Sequence, residues 1–254
     1  MNSFLVFCKK EWIELHRTKK LYIFWGIFAL FGMLSPLLSR YMQEIIAASM
    51  GDSFPLVVSP TTWVDSYSQL YSNLSQIGGL SVIFIFMGCV VGEKQSGSAA
   101  LTLTKNLHHT TFIMAKFIAA TALIIISTFS AVLLCYTYTY NLFGYAGEFQ
   151  NVLMGALVYS IFAVVLLGST MLSSTIAKST AVSALLSFCA FLLLIVSNYV
   201  PKIGGYLPGT LLSKILEITT TTFSSSAIWS AVVALCITGV SLLASIRILK
   251  GQEI

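Results

Sequence analysis

Few residues in this sequence could do chemistry, and their spacing argues against most of it. Glu93 with the adjacent His108 and His109 offers one carboxylate and two imidazoles. Neighbours on a helix point about 100° apart, so the two rings cannot share one ion in the i, i+4 manner, and no metal site is assigned. The run Gly92-Glu-Lys-Gln-Ser-Gly97-Ser98 approaches a phosphate-binding loop. It lacks the Lys and Ser/Thr that must follow the second glycine, and no strand precedes it, so nucleotide is not bound by that device. Five cysteines (Cys8, Cys89, Cys135, Cys189, Cys236) are scattered without the paired spacing of a zinc site or a disulfide framework. They read as small apolar core residues. No catalytic residue is assigned.

The elements that must position these residues are overwhelmingly apolar. The chain of 254 residues is 57% hydrophobic and 9% charged, with a mean hydropathy of +0.88. Soluble domains carry roughly a quarter charged residues, and no hydrophilic stretch here is long enough to fold separately. Six segments supply the roughly 20 mainly apolar residues that cross about 30 Å of hydrocarbon. They lie at about 21–39, 75–92, 117–138, 152–173, 180–199 and 228–246, and none contains Asp, Glu, Lys, Arg or His. A charged residue at mid-span costs ~2.5–3.5 kcal/mol on the insertion scale. Lipid offers backbone groups no partner, which makes each segment a helix. The expected fold class is an all-α integral membrane protein with six transmembrane helices. Enzymes and proton-coupled transporters in membranes use ionisable groups facing a cavity, which these spans lack.

Orientation follows from basic residues in the connections. Eleven fall on the side of the termini, including Lys9, Lys10, Arg17, Lys94, Lys105, Lys116 and Lys178, against Arg40, Lys202 and Lys214 on the other. This predicts both termini in the cytoplasm. It also assigns the net charge of +5 to topology and anionic lipid, with no nucleic-acid partner. The expected layout is a cytoplasmic interfacial helix at 1–20, a membrane domain at 21–246 and a tail at 247–254. The first residues are charged and amphipathic and do not read as a cleavable signal peptide. On a helical projection Phe4, Leu5, Cys8, Trp12 and Leu15 share one face, and Lys9, Lys10, Glu14 and Arg17 occupy much of the rest. Such a helix lies in the membrane interface with Lys10, Trp12 and Arg17 at headgroup depth. On the outer side, 40–74 reads as a long connection with a short surface helix over Arg40–Met50. In 200–227, helix-breaking Pro201, Gly204, Gly205, Pro208 and Gly209 precede Leu211, Leu212, Ile215, Leu216 and Ile218 at helical spacing. That pattern predicts a short amphipathic or re-entrant helix, followed by a polar linker at 219–226. Small residues at Gly88-xxx-Gly92, Gly155, Gly168 and Ser169 read as close-packing positions, with a path lining as the alternative.

The connection 93–116 is longer than a turn requires, and its stretch from Ala99 to Leu103 suits a short helix beneath the membrane. Its order is an acidic residue, three residues, Gly, a small hydroxyl, a leucine-rich turn and a later aromatic-xxx-Lys. Those positions are Glu93, Gly97, Ser98, Leu101, Leu103, Phe112 and Lys116. The pattern resembles the ABC-2-type permeases, and Tyr206–Ser213 (YLPGTLLS) resembles their outer fifth connection. The sequence departs from the family in carrying Gly97-Ser98 for Gly-Thr, and in lacking a proline within Lys105–His108.

The resemblance implies a cytoplasmic coupling helix between the second and third spans. It makes Glu93, Lys94, Gly97, Ser98, Leu101, Leu103, Lys105 and Lys116 the residues of coupling to an ATPase, with Glu93 and Lys116 as anchors and Lys94 to Leu107 as the docking surface. It further implies a permease subunit with no ATPase site of its own, paired with a second, identical or related, permease and with separate ABC ATPase subunits that carry ATP and Mg. The substrate expected by analogy is an exported peptide, antibiotic or lipid-like molecule, moved across a prokaryotic plasma membrane. The rival reading is a membrane immunity or assembly factor that acts by binding alone.

Overall fold

The computed structural model describes residues 3–50, 61–98, 108–200, 204–220 and 225–252. Among them there is helix and no strand, and six helices are long and apolar enough to cross a membrane. These candidate spans are Lys20–Met42, Trp63–Gln95, His109–Phe143, Phe149–Ile176, Thr180–Tyr199 and Ala227–Gly251, hereafter spans 1 to 6. Every expected apolar segment lies within one of them. Five of the six overrun the expected limits, because end residues continue the backbone pattern beyond the hydrocarbon-length core, and span 5 keeps the expected 180–199.

A short helix α1 (Ser3–Arg17) precedes α2 (Lys20–Met50), which carries span 1. The expected surface helix over Arg40–Met50 is therefore a continuation of span 1, not a separate element. Residues 51–60 lie outside the described part. Helix begins again at α3 (Trp63–Asn73), inside the stretch read as connection. Asp65 explains the start: its Oδ2 accepts the Thr62 amide at 2.7 Å, satisfying a donor that the helix itself cannot.

Span 2 is not one regular helix. After α3 comes a π-helical turn, Leu74–Gly78, then α4 (Gly79–Phe86) and, beyond a break, α5 (Val91–Gln95). In the wider register of the π turn the Leu74 carbonyl accepts from the Gly79 amide, and the buried Tyr159 hydroxyl also donates to it, at 2.7 Å. Then follow α6 (His109–Phe143), α7 (Phe149–Ile176), α8 (Thr180–Val196), α9 (Gly209–Thr220) and α10 (Ser225–Gly251).

Helix α7 is the axis of the bundle. In its most apolar stretch 72% of residues are buried, against 22% in the equally apolar span 5, so protein covers most of its surface. Spans 3, 5 and 6 and α9 pack around it. Close approach uses glycine: a Cβ at Gly32 of α2 would lie 2.5 Å from the Ala131 carbonyl oxygen of α6, and one at Gly168 would lie 3.2 Å from Thr238. Gly155 is likewise closed by Thr219 and Tyr71. The Gly88 and Gly92 pair does not pack in this way: Gly92 has open space at its Cβ, and Gly88 has an ordinary contact at 3.6 Å. Helix α9 is the short amphipathic helix expected in the fifth connection, with Leu211, Ile215 and Ile218 buried against α7. Gly209 permits its entry, since a Cβ there would meet the Leu194 carbonyl oxygen at 2.5 Å.

Candidate functional site

Helix α1, α5, the first turns of α6, the end of α7 and Gln252 of the C-terminal segment meet at one end of the bundle. The chain enters this end through an elbow. Lys19 closes it with φ +59°, the one non-glycine residue in the left-handed region among those described. His16 and the Tyr22 hydroxyl share a hydrogen bond of 2.6 Å across it.

The elbow turns α1 so that Phe4, Phe7, Cys8, Glu11 and Leu15 point inward, while Leu5, Val6, Trp12 and Ile13 are exposed beside Lys9, His16 and Arg17. The expected single face is thus corrected. Phe4, Cys8 and Leu15 lie inward, and Leu5 and Trp12 lie outward. The projection placed Lys9, Lys10, Glu14 and Arg17 opposite the apolar face but left out Phe7 and the Glu11 carboxylate, which complete the inward stripe. Lys10 lies between the two faces.

That carboxylate makes the site. Lys116, on the third turn of α6, is only 6% exposed, as is Glu11. The Lys116 ammonium donates to Glu11 Oε2 at 2.9 Å and to Glu93 Oε1 at 2.6 Å. Lys10 reaches Glu11 at 2.8 Å, Glu14 at 2.8 Å and Glu93 at 3.3 Å. Two ammonium groups and three carboxylates thereby tie α1, α5 and α6 together. A charge buried this far is tolerated only with partners at hydrogen-bond distance. Phe112 completes the seat, its buried ring 5.1 Å from the Lys116 ammonium and 5.9 Å from the ring of Phe7.

The motif positions now have physical reasons. Glu93 needs Lys116, and the aromatic four residues before Lys116 lies one turn away on the same face. Gly97 ends α5 in the left-handed region at φ +71°, its amide donating to the Lys94 carbonyl at 3.2 Å. The hydroxyls of Ser96 and Ser98 both approach the Glu93 carbonyl, at 3.2 and 3.4 Å, covering an acceptor that the ended helix leaves open. Lys94 turns away from Glu93 and donates to the Thr175 carbonyl at 2.8 Å and to Gln252 Oε1 at 2.7 Å. Leu101, Leu103 and Lys105 lie outside the described residues. Sequence reasoning missed Glu11, Glu14, Phe7 and Gln252. Glu11 had a signal, an acid in register with the apolar stripe of Phe4, Phe7 and Leu15.

Around these groups is a cavity of about 460 Å³, lined in part by Glu14, Phe86, Cys89, Gly92, Lys116 and Ala120. Burial alone would lower the Lys10 pKa, but hydrogen bonds to Glu11 and Glu14 and the charges of Glu11 and Glu93 outweigh it and hold it above the usual lysine range. For Glu14 burial acts upward, and the Lys10 hydrogen bond with the charges of Lys116, Lys10 and Lys20 carries it below the usual carboxylate range. Oxygen atoms of Glu11, Glu14 and Glu93 lie within 4.8 Å of one another, a spacing that suits a cation. The cations seated there are the two ammonium groups. His108 and His109 stand at the start of α6 and belong to no group of three metal-ligating side chains among the described residues.

The chain is similar to YxlG, an uncharacterized transmembrane protein of Bacillus subtilis (strain 168). The two are 25% identical over 186 residues, 72% of this chain and 72% of the relative. The family model described as ABC-2 family transporter protein matches residues 5–213, which takes in α1, the ion-paired joint, the first five spans and the start of α9. With six apolar spans and that match, the chain is a multi-pass membrane protein and belongs to the ABC-2 transporter family.

Proposed function

We propose that this chain is the membrane-spanning subunit of an ATP-driven exporter, and that the joint of Glu93, Lys116 and Glu11 transmits force from a separate ATPase. The observation that carries the reading is the placement of these charges. They sit where residues 93–116 leave span 2 and enter span 3, and they bind that connection to α1. The spans offer no ionisable group near their middles to couple an ion gradient, so the energy comes from a partner. The basic residues put this end in the cytoplasm, in the plasma membrane of a bacterium. There α1 lies along the lipid headgroups, and Lys94, Gly97, Ser98, Leu101, Leu103 and Lys105 present the surface that docks in a cleft of the ATPase. ATP and Mg bind to that partner, not to this chain. A second permease copy or a related chain completes the path, and nucleotide-driven closure of the ATPases rocks the spans between two packings. The cargo class is an amphipathic peptide, an antibiotic or a lipid-like molecule.

The test is affinity capture of the tagged protein from its native membrane, followed by ATP hydrolysis in the purified assembly. The expected result is capture of a chain with a phosphate-binding loop, lost on Glu93→Lys combined with Gly97→Pro. Retention of partner and hydrolysis by that double variant would show the coupling assignment to be wrong. Activity that persists with every candidate ATPase deleted would favour a factor acting by binding alone.

A further inference from the structure

Span 2 breaks between α4 and α5, and the break is built around one side chain of another span. The helical ladder would pair the Val90 amide with the Phe86 carbonyl and the Val91 amide with Met87. Phe86 instead accepts from the Cys89 amide at 3.0 Å. The Ser174 hydroxyl of α7 stands in the gap. It accepts from the Val90 and Val91 amides, both at 3.1 Å, and donates to the Met87 carbonyl at 2.8 Å. A hydroxyl has one proton to give and two lone pairs to offer, so Ser174 is saturated. Ser183 of α8 adds a second donor to Met87 at 2.7 Å. A side chain inserted into the ladder is a recognised cause of a sharp helix bend.

Tyr159 apart, whose hydroxyl also reaches span 2 at Leu74, the other hydroxyls of α7 belong to serines and threonines and behave differently. Ser160, Ser169, Thr170, Ser173 and Thr175 each donate to the carbonyl four residues earlier in their own helix. Ser174 alone among them crosses to another span. The last turn of α7 and the connection after it also hold α5 from the same side: Lys94 donates to the Thr175 carbonyl, and Gln95 donates to the Lys178 carbonyl at 3.0 Å. Segment α5 therefore has two anchorages. Glu93 ties it to α1 and α6, and Ser174, Thr175 and Lys178 tie it to the junction of spans 4 and 5.

We infer that Ser174 is a positioning residue: by replacing the missing backbone bonds of span 2 it sets the direction of α5 and links the coupling segment to spans 4 and 5. The inference deepens the proposed function and rests on it for the word coupling, while the geometry it asserts is tested on this chain alone.

The experiment is hydrogen–deuterium exchange of the full chain in lipid nanodiscs, comparing the parent with Ser174→Ala, Ser183→Ala and Ser187→Ala. Ser187 is equally buried but donates only within its own helix, to the Ser183 carbonyl, and serves as the control. Loss of Ser174 strands two amides and half-strands a carbonyl, so exchange across 87–98 rises by about tenfold or more. Exchange in the interiors of α6 and α7 stays at the parental rate, which a merely structural defect would not leave untouched. Ser183→Ala removes one of two donors to Met87 and produces a smaller rise in the same segment, and Ser187→Ala none. Parental exchange across 87–98 in Ser174→Ala, or an equal rise throughout the protein, overturns the inference. If Ser174→Ala does not fold, Ser183→Ala decides: a local rise supports the pin, and a profile matching Ser187→Ala removes it. Failure to capture an ATPase would sink the coupling role and leave this result standing.

Discussion

Replacing Lys116 by methionine keeps the length of the side chain and deletes its charge. Glu11 and Glu93 then lose the ammonium that touches them at 2.9 and 2.6 Å, in a place where the two carboxyl side chains are 8% and 14% exposed. Breaking a buried pair by removing one partner costs about 3–5 kcal/mol. Lys10 still reaches both carboxylates at 2.8 and 3.3 Å, so the loss falls at the lower end, about 3 kcal/mol. For a chain of this size that lowers the unfolding midpoint by roughly 6–12 °C. The diagnostic is a change of sign. In the parent, Glu93→Gln removes a partner of Lys116 and destabilises; in the Lys116→Met background it removes one of three carboxylates crowded on the single remaining ammonium of Lys10 and stabilises. Thermal unfolding of the four proteins in one detergent, followed by tryptophan fluorescence, reads the cycle. Equal and additive losses would refute the joint, as would a Lys116→Met midpoint indistinguishable from the parent.

Gly97→Ala forces a side chain into the left-handed region with no steric conflict nearby. It lowers stability by about 1–2 kcal/mol, and Gly97→Asn lowers it less; equal midpoints for Gly, Asn and Ala would contradict the α5 cap. Gly32→Ala presses a methyl against the Ala131 carbonyl oxygen and costs about 1–3 kcal/mol. Gly26→Ala, in open space on the same helix, is neutral or stabilising by up to about 1 kcal/mol. Two shifts of the same sign in thermal unfolding would disprove that packing. The pairing of Lys10 with Glu14 gives a pH window. Glu14 is shifted down and Lys10 up, so their contribution is complete between the ordinary values of 4.5 and 10.5. It fades as pH falls through the depressed Glu14 value and as it rises through the elevated Lys10 value. The midpoint difference between the parent and Lys10→Met/Glu14→Gln should be flat across that window, and a step near neutral pH would count against it.

The six spans were legible because lipid demands one thing of sequence, an unbroken apolar run, and the chain supplies it six times. Their ends were harder, since beyond the hydrocarbon a helix is held by local devices such as the Asp65 oxygen at the start of α3. Glu93 and Lys116 stood out as charges at span ends, but their third partner was hidden. Glu11 looks like one acid in a basic amphipathic segment until the elbow at Lys19 turns it inward. The break in span 2 left no mark either: Met87-Gly-Cys-Val90 is as apolar as its surroundings. Its cause is a serine 84 to 87 residues away in sequence, and serine is common in α7. Gly88 and Gly92 had the spacing of a packing motif yet line the cavity, because spacing does not tell which side of a helix has a neighbour.

The account stands on the joint facing the compartment that holds ATP. Ser96 is exposed beside it and suits a cysteine label in a chain whose own five cysteines have been replaced. A membrane-impermeant maleimide should label Ser96→Cys in inside-out vesicles and leave it unmodified in intact cells. Labelling in intact cells would place Glu93, Lys116 and Glu11 outside, where no ATPase could reach them.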